Sequence, residues 1–219
     1  MSAPVNHRAA ILGSIRNALV TQKSPDSIAA EYGAIPRSYT RSSNAGTHAV
    51  IELFADRLLE YDAGVYRASG ANISSMIAEV LKARGKKSLA IPSGLPAEWL
   101  PECFVFEEAN GFDAYRLDRS EGVLTGCTVA IAETGTIVLQ NADAQGPRIL
   151  SLVPDYHLCV VHAEQIVATV PEAFDRIAGT TTLPTTFISG PSATADIEMT
   201  RIKGVHGPRF VDVILVSEQ

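Results

Sequence analysis

The sequence predicts an α/β fold, a mostly parallel sheet with antiparallel additions and flanking helices. A strand-helix-strand unit carries most of this expectation. It has a short strand near Gly64–Ala68, a helix over about 71–84 with Ile73, Ile77, Val80 and Leu81 on one face, and a strand at Ser88–Ile91, the order a parallel βαβ unit needs. Two later runs, HLCVVHA from His157 and FVDVILVS from Phe210, are nearly unbroken apolar text, as strands covered on both faces are. Finally, the chain has 219 residues, 46% of them hydrophobic, and no internal repeat, which suits one main core.

Taken in order, the first helix is expected over about 8–20, where Ile11, Leu12, Ile15 and Leu19 recur at helical spacing. Thr21–Asn44 is polar, contains prolines and has few large apolar residues, so it reads as an extended arm or loop. Residues 1–45 are thus an N-terminal helix and arm, and 46–219 the α/β domain. A stronger helix is expected over 47–61, with Val50, Leu53, Phe54, Leu58 and Tyr61 in period and Thr47 as its N-cap.

Beyond the βαβ unit, Cys103–Phe106 forms a short strand. Cys127–Asn141 holds two apolar runs split by Glu133-Thr134-Gly135-Thr136, a hairpin or a sharply bent strand. Val170–Ala178 is a helix opened by Pro171, and TTFIS ends a further strand at Ser189. The total is about eight strands and four or five helices, mixing βαβ order with hairpins.

Several classes of function fall away. The formal charge is −6 with a pI near 5.4, and the basic residues are scattered, so no nucleic acid is expected as partner. No apolar stretch approaches the roughly 18–20 residues of a membrane span, and Arg16-Asn17 interrupt any signal-peptide core. A cytoplasmic location is expected. Cys103, Cys127 and Cys159 lie far apart with no C-x-x-C pair, so no metal or cluster is expected on this chain. Cys127 and Cys159 sit in apolar runs and are expected to be buried. Dinucleotide, Walker, zincin, serine-hydrolase and EF-hand signatures are all absent.

Polar chemistry collects in three loops between apolar strands. In Glu133–Thr136, Gly135 allows a tight turn with exposed amides beside the hydroxyls of Thr134 and Thr136. Glu133 is there either a base or nucleophile or a solvated rim residue. Arg148 follows a Gly-Pro turn, placed to grip a carboxylate or phosphate, or else to pair with Asp143 or Asp155. His157 opens a strand and reads as structural. In the third loop, Ser192 or Thr194 can N-cap a helical turn containing Asp196 and Glu198. His206 lies between Gly204 and Gly207, where an imidazole can act as acid, base or ligand or simply bond backbone.

The segments ETGTIVLQN, GPRILSLVPDYHLCVV and ISGPSATADIEMTRIKGVHGPR, in that order and separation, resemble the lactate utilization protein C family, which carries the LUD domain. The likeness runs from about Asp62 to the C-terminus. It implies the fold shared by ribose-5-phosphate isomerase, glucosamine-6-phosphate deaminase and CoA transferases. It also implies a role in bacterial growth on L-lactate, as an accessory subunit of an iron-sulfur complex that oxidises lactate to pyruvate, with the clusters in partner proteins. If the site takes a small carboxylate, Arg148 is the clamp and Thr134, Gly135, Thr136, Ser192 and Thr194 supply neutral donors. His206 then exchanges the hydroxyl proton, and Asp196 or Glu198 fixes its tautomer. Whether the chain is itself an enzyme stays open. The alternatives are a stand-alone enzyme of CoA-transferase or sugar-phosphate type using Glu133, and a protein whose loops only recognise a partner.

Overall fold

The computed structural model describes residues 7–19, 23–194, 202–204 and 206–217. Residue contacts divide the chain into Met1–Tyr39 and Thr40–Gln219, and each part is taken by itself. In the first, α1 spans His7–Ala18 and α2 spans Pro25–Ala34. The second of these stands where the sequence predicts an arm. Its apolar signal is weak, with only Ile28 and Tyr32 as large apolar residues, but its start is well marked. The Ser24 hydroxyl accepts from Ser27 N–H at 3.2 Å, and Pro25 occupies the first turn, where a missing N–H costs nothing. No residue of α1 or α2 is buried.

The second part opens with α3 (Thr47–Glu60), whose N-cap is Gly46, so Thr47 is the first helical residue rather than the cap. The βαβ unit follows as β1 (Gly64–Ala68), α4 (Ile73–Ala83) and β2 (Ser88–Ile91). Next come β3 (Val105–Glu108), α5 (Ala114–Asp118), β4 (Val123–Thr125), β5 (Val129–Ile131), β6 (Thr136–Gln140), α6 (Arg148–Leu152) and β7 (Tyr156–His162). The chain continues through β8 (Ile166–Val167), α7 (Val170–Ile177), β9 (Thr185–Ile188), β10 (Ala193–Thr194), β11 (Ile202–Lys203) and β12 (Phe210–Val216).

The main sheet has the order β1-β12-β7-β4-β2-β3, and all its pairings are parallel. A second sheet, β8-β5-β6-β9, contains the hairpin read from residues 127–141, its β5–β6 and β6–β9 pairs antiparallel. Because successive strand residues face opposite ways, β7 and β12 feed two cores. Leu158, Val160, Ile214 and Val216 pack with Ile77 and Leu81 of α4. Cys159, Val161, Val213 and Leu215 pack with Phe54 and Leu58 of α3 and with Ile137 and Leu139 of the second sheet. Helix α7 covers the far side of that sheet through Ala173 and Ile177.

The β5–β6 turn is pressed against α3. Gly135 has φ +58°, and a Cβ there would lie 2.8 Å from Cβ of Arg57, so this glycine serves close packing as well as the turn. Cys127 and Cys159 are buried as expected. Contact with Cys159, then burial, pushes the Cys127 thiol up. No helix among the described residues is long and apolar enough to cross a membrane.

Candidate functional site

Arg148 is the first residue of α6. A cation at that end opposes the helix dipole, so local stability does not explain its placement. Its one described side-chain hydrogen bond runs from Nη1 to Ser151 Oγ at 3.2 Å, and it forms no ion pair with a described residue. Of the two partners considered from sequence, Asp155 is taken: Arg209 donates to both its oxygens at 2.6 and 2.8 Å and holds its carboxyl below the usual range. Neighbouring protein strips part of the water from the Arg148 guanidinium and lowers its pKa without neutralising it.

That guanidinium borders a cavity of about 250 Å³ whose other walls are Ser151, residues 187–193 and His206–Pro208. Backbone closes its base: Ser192 N–H donates to Pro208 O at 2.9 Å, Gly204 N–H to Ser192 O at 3.0 Å, and His206 N–H to Ser192 Oγ at 3.0 Å. Ser192 therefore ties two loops together instead of capping a helix, and a strand, β10, follows it; a turn capped by Thr194 falls outside the described residues. Gly190, at φ +75°, lies where a Cβ would fall 2.5 Å from Cβ of Tyr61. Much of the glycine content of this loop thus answers to packing.

The polar turn of the second sheet reaches the same cavity indirectly. Thr134 Oγ1 lies 2.7 Å from Thr136 Oγ1, which lies 2.7 Å from Ser189 Oγ on the cavity wall. Arg148, Ser192 and His206 are thereby brought together, with Thr134 and Thr136 joined to them through a hydroxyl chain. Glu133 is not among them. It is exposed, and its Oε1 accepts from Val170 N–H at 3.0 Å, capping α7. Asp196 and Glu198 lie outside the described residues, and of Thr194 only the backbone, in β10, is described. Ser189 is the residue that sequence reasoning passed over. Its position at the end of an apolar strand, just before Gly190-Pro191, was the available signal.

Two larger depressions, of about 510 and 770 Å³, lie beside the start of α3 and share Thr47, Ile51, Ala163, Ile166 and Arg176. None of the candidate site residues read from the sequence lines them. Arg67, in the larger depression, is matched by Glu52 at 2.7 Å, and the Arg176 they share stands beside Glu172 and Asp175 in one and Glu52 and Glu164 in the other. Among the described residues no carboxylate lines the smaller cavity, which is therefore the better anion site. Among the described residues, no group of three or more His, Cys, Asp or Glu side chains is placed to hold a metal ion.

Beneath this region His157 is fully buried on β7. Its Nε2 meets Thr125 Oγ1 at 2.8 Å, and its Nδ1 has no hydrogen-bond partner among the described residues. Burial, then the charge of Arg148, lowers its pKa from 6.5 to about 4. The unfolded chain thus binds the extra proton first, so stability is lost as pH falls from 6.5 towards 4. The loss should reach about 3 kcal/mol. Thermal melts at pH 7, 5.5 and 4 check this, with His157→Gln losing less than wild type on acidification. Equal losses would contradict it.

Residues 107–216 match the family model of the LUD domain, a segment that contains every residue lining the 250 Å³ cavity. A lactate utilization protein C from Deinococcus radiodurans is 44% identical over 171 residues, 77% of this chain and 80% of that protein. The chain belongs to the lactate utilization protein C family of LUD-domain proteins. The lactate utilization protein C of Bacillus subtilis is 38% identical over 144 residues, 62% of this chain but only 58% of that relative. The crystal structure of a DUF162 family protein from Deinococcus radiodurans superposes with a TM-score of 0.67 at 36% identity, covering 79% of this chain and 99% of that one. In LUD-domain terms, Arg148, Ser189, Ser192 and His206 are all domain residues, while α3, β1 and β2 lie ahead of the matched segment.

Proposed function

We propose that this LUD-domain chain serves lactate utilization as the cluster-free subunit of an iron-sulfur system that oxidises L-lactate to pyruvate. On this reading its cavity beside Arg148 binds a small 2-hydroxy or 2-oxo carboxylate. The observation that carries the site is Arg148, which has no ion-pair partner among the described residues, on the wall of a 250 Å³ space rimmed by hydroxyls and loop backbone. Such a space falls below the roughly 300–1,000 Å³ that drug-sized ligands occupy and suits an acid of three carbons. The names of the relatives support the metabolic setting.

Arg148 would hold the carboxylate through two parallel hydrogen bonds. His206, on the opposite loop, would take or return the proton of the 2-hydroxyl. Electrons must leave through a group the partners carry, since oxidation of a hydroxy acid needs an acceptor.

Tagged at its natural level in lactate-grown cells, the chain should co-purify with iron-containing proteins, and iron should reside in those partners. Purification of the chain alone, or lactate oxidation by the isolated chain, would overturn this assignment.

A further inference from the structure

Three hydroxyls stand in series between the cavity and the second sheet: Ser189, Thr136 and Thr134, each pair 2.7 Å apart. That is the normal length of an O–H···O hydrogen bond, so when Thr136 donates to a neighbouring hydroxyl rather than to the Thr134 carbonyl 3.4 Å away, all three protons point along the chain in one of two directions. Thr136, the middle member, is 5% exposed and keeps a hydroxyl partner on each side in either direction. Ser189, by contrast, is exposed at the cavity, and Thr134 is half-buried in the turn.

We infer that Ser189 reads the oxygen on carbon 2 of the bound acid, and that its link through Thr136 to Thr134 lets one pocket accept both an alcohol and a ketone there. This rests on the small-acid reading above. A keto acid presents only an acceptor, so Ser189 must donate, and Thr136 then donates to Ser189. In the resting complex, before His206 takes that proton, a hydroxy acid can donate it in a hydrogen bond to Ser189, whose own proton then turns inward to Thr136, and that of Thr136 turns to Thr134. The reversal needs only the rotation of three hydroxyls, and no buried group loses a partner. A fixed donor would bond the oxygen of either acid but would leave the proton of the alcohol without an acceptor on this wall, and so would favour the keto acid.

The test uses the full chain with L-lactate, pyruvate and propionate, followed by calorimetry. Propionate carries the carboxylate but no oxygen on carbon 2. Wild type should bind lactate and pyruvate within a few-fold of each other. Ser189→Ala should weaken both by about tenfold and leave propionate unchanged. Thr136→Val, close in shape, should weaken lactate by about tenfold and pyruvate less, because only with the hydroxy acid does Ser189 donate inward to Thr136. Thermal melting of both variants shows that folding is intact.

If Ser189→Ala weakens propionate as much as lactate, or if Thr136→Val leaves the lactate-to-pyruvate ratio unchanged, the role of the chain is wrong while the carboxylate site stands. If wild type binds none of the three acids, the small-acid reading itself falls, and this inference with it.

Discussion

Asp212→Ala should lower the stability of the fold by about 3–5 kcal/mol, the usual consequence of removing one partner from a buried ion pair. Asp212 is fully buried in the second position after the start of β12. Its carboxylate accepts Arg84 Nε at 2.7 Å, Arg84 Nη2 at 2.5 Å and the Tyr156 hydroxyl at 2.9 Å. Burial, and then this carboxylate, keep the Tyr156 phenol protonated far above the ordinary range. Without Asp212 the Tyr156 hydroxyl, itself fully buried, has lost its acceptor. Arg84 fares better, because its side chain is 32% exposed and can turn to water.

The neighbouring strand is shaped for this acid. A Cβ on Gly64 would lie 2.1 Å from Asp212 Oδ1, so any larger residue there would push this carboxylate away from its partners. Denaturant or thermal unfolding checks the variant, whose melting point should fall by about 10 °C. Replacing all three partners by apolar residues of similar volume (Asp212→Leu, Arg84→Met, Tyr156→Phe) should recover much of the loss. A loss below 1 kcal/mol for Asp212→Ala would mean that water reaches the carboxylate.

Asp212 also shows where sequence reading stops. An acid inside FVDVILV was visible as an exception to an apolar run, but its partners lie 56 and 128 residues away, which no local pattern reveals. The long strands β7 and β12, the βαβ unit and the β5–β6 hairpin were legible because each has enough residues to display a period or a run. Strands β4, β8, β10 and β11 have two or three residues apiece, too few for either. Helix α2 was misread because its apolar face is nearly empty, although Ser24-Pro25 marked its start.

The candidate site divides in the same way. Arg148 and His206 stood out because Gly-Pro turns flank them, and the fold does bring them to one cavity. Glu133 looked equally suited to chemistry, since a carboxylate at a tight turn has the same sequence context whether it attacks a substrate or accepts from a helix N–H. Only the approach of Val170 decides that its contact is a cap. The glycines misled in part, because ligand access and close packing both call for a missing Cβ. Here Tyr61, Arg57 and the Arg209 side chain, which would lie 2.6 Å from a Cβ on Gly204, supply the packing answer.

Arg148→Ala should abolish binding of small 2-oxygenated acids and remove lactate-dependent growth, while leaving the fold in place. Hydrogen bonds to a charged group contribute about 1.5–3 kcal/mol each, so loss of a two-pronged clamp should weaken binding by at least about a hundredfold. Arg148→Lys should fall between, because it keeps the charge but loses the planar fork. Little stability is at stake, since the side chain gives up one 3.2 Å bond to Ser151 and a cation is removed from the wrong end of α6. A structural reading of Arg148 predicts the opposite pattern, a lowered melting point with unchanged affinity. The variant has a second readout as well: the charge of Arg148 is one of the two causes that hold His157 down. Its removal should bring the folded-state pKa of His157 back towards 6.5, so the variant should lose less stability than wild type on acidification. If affinity for pyruvate and L-lactate survives in Arg148→Ala, the carboxylate is held elsewhere, and the two larger depressions beside α3 become the place to look.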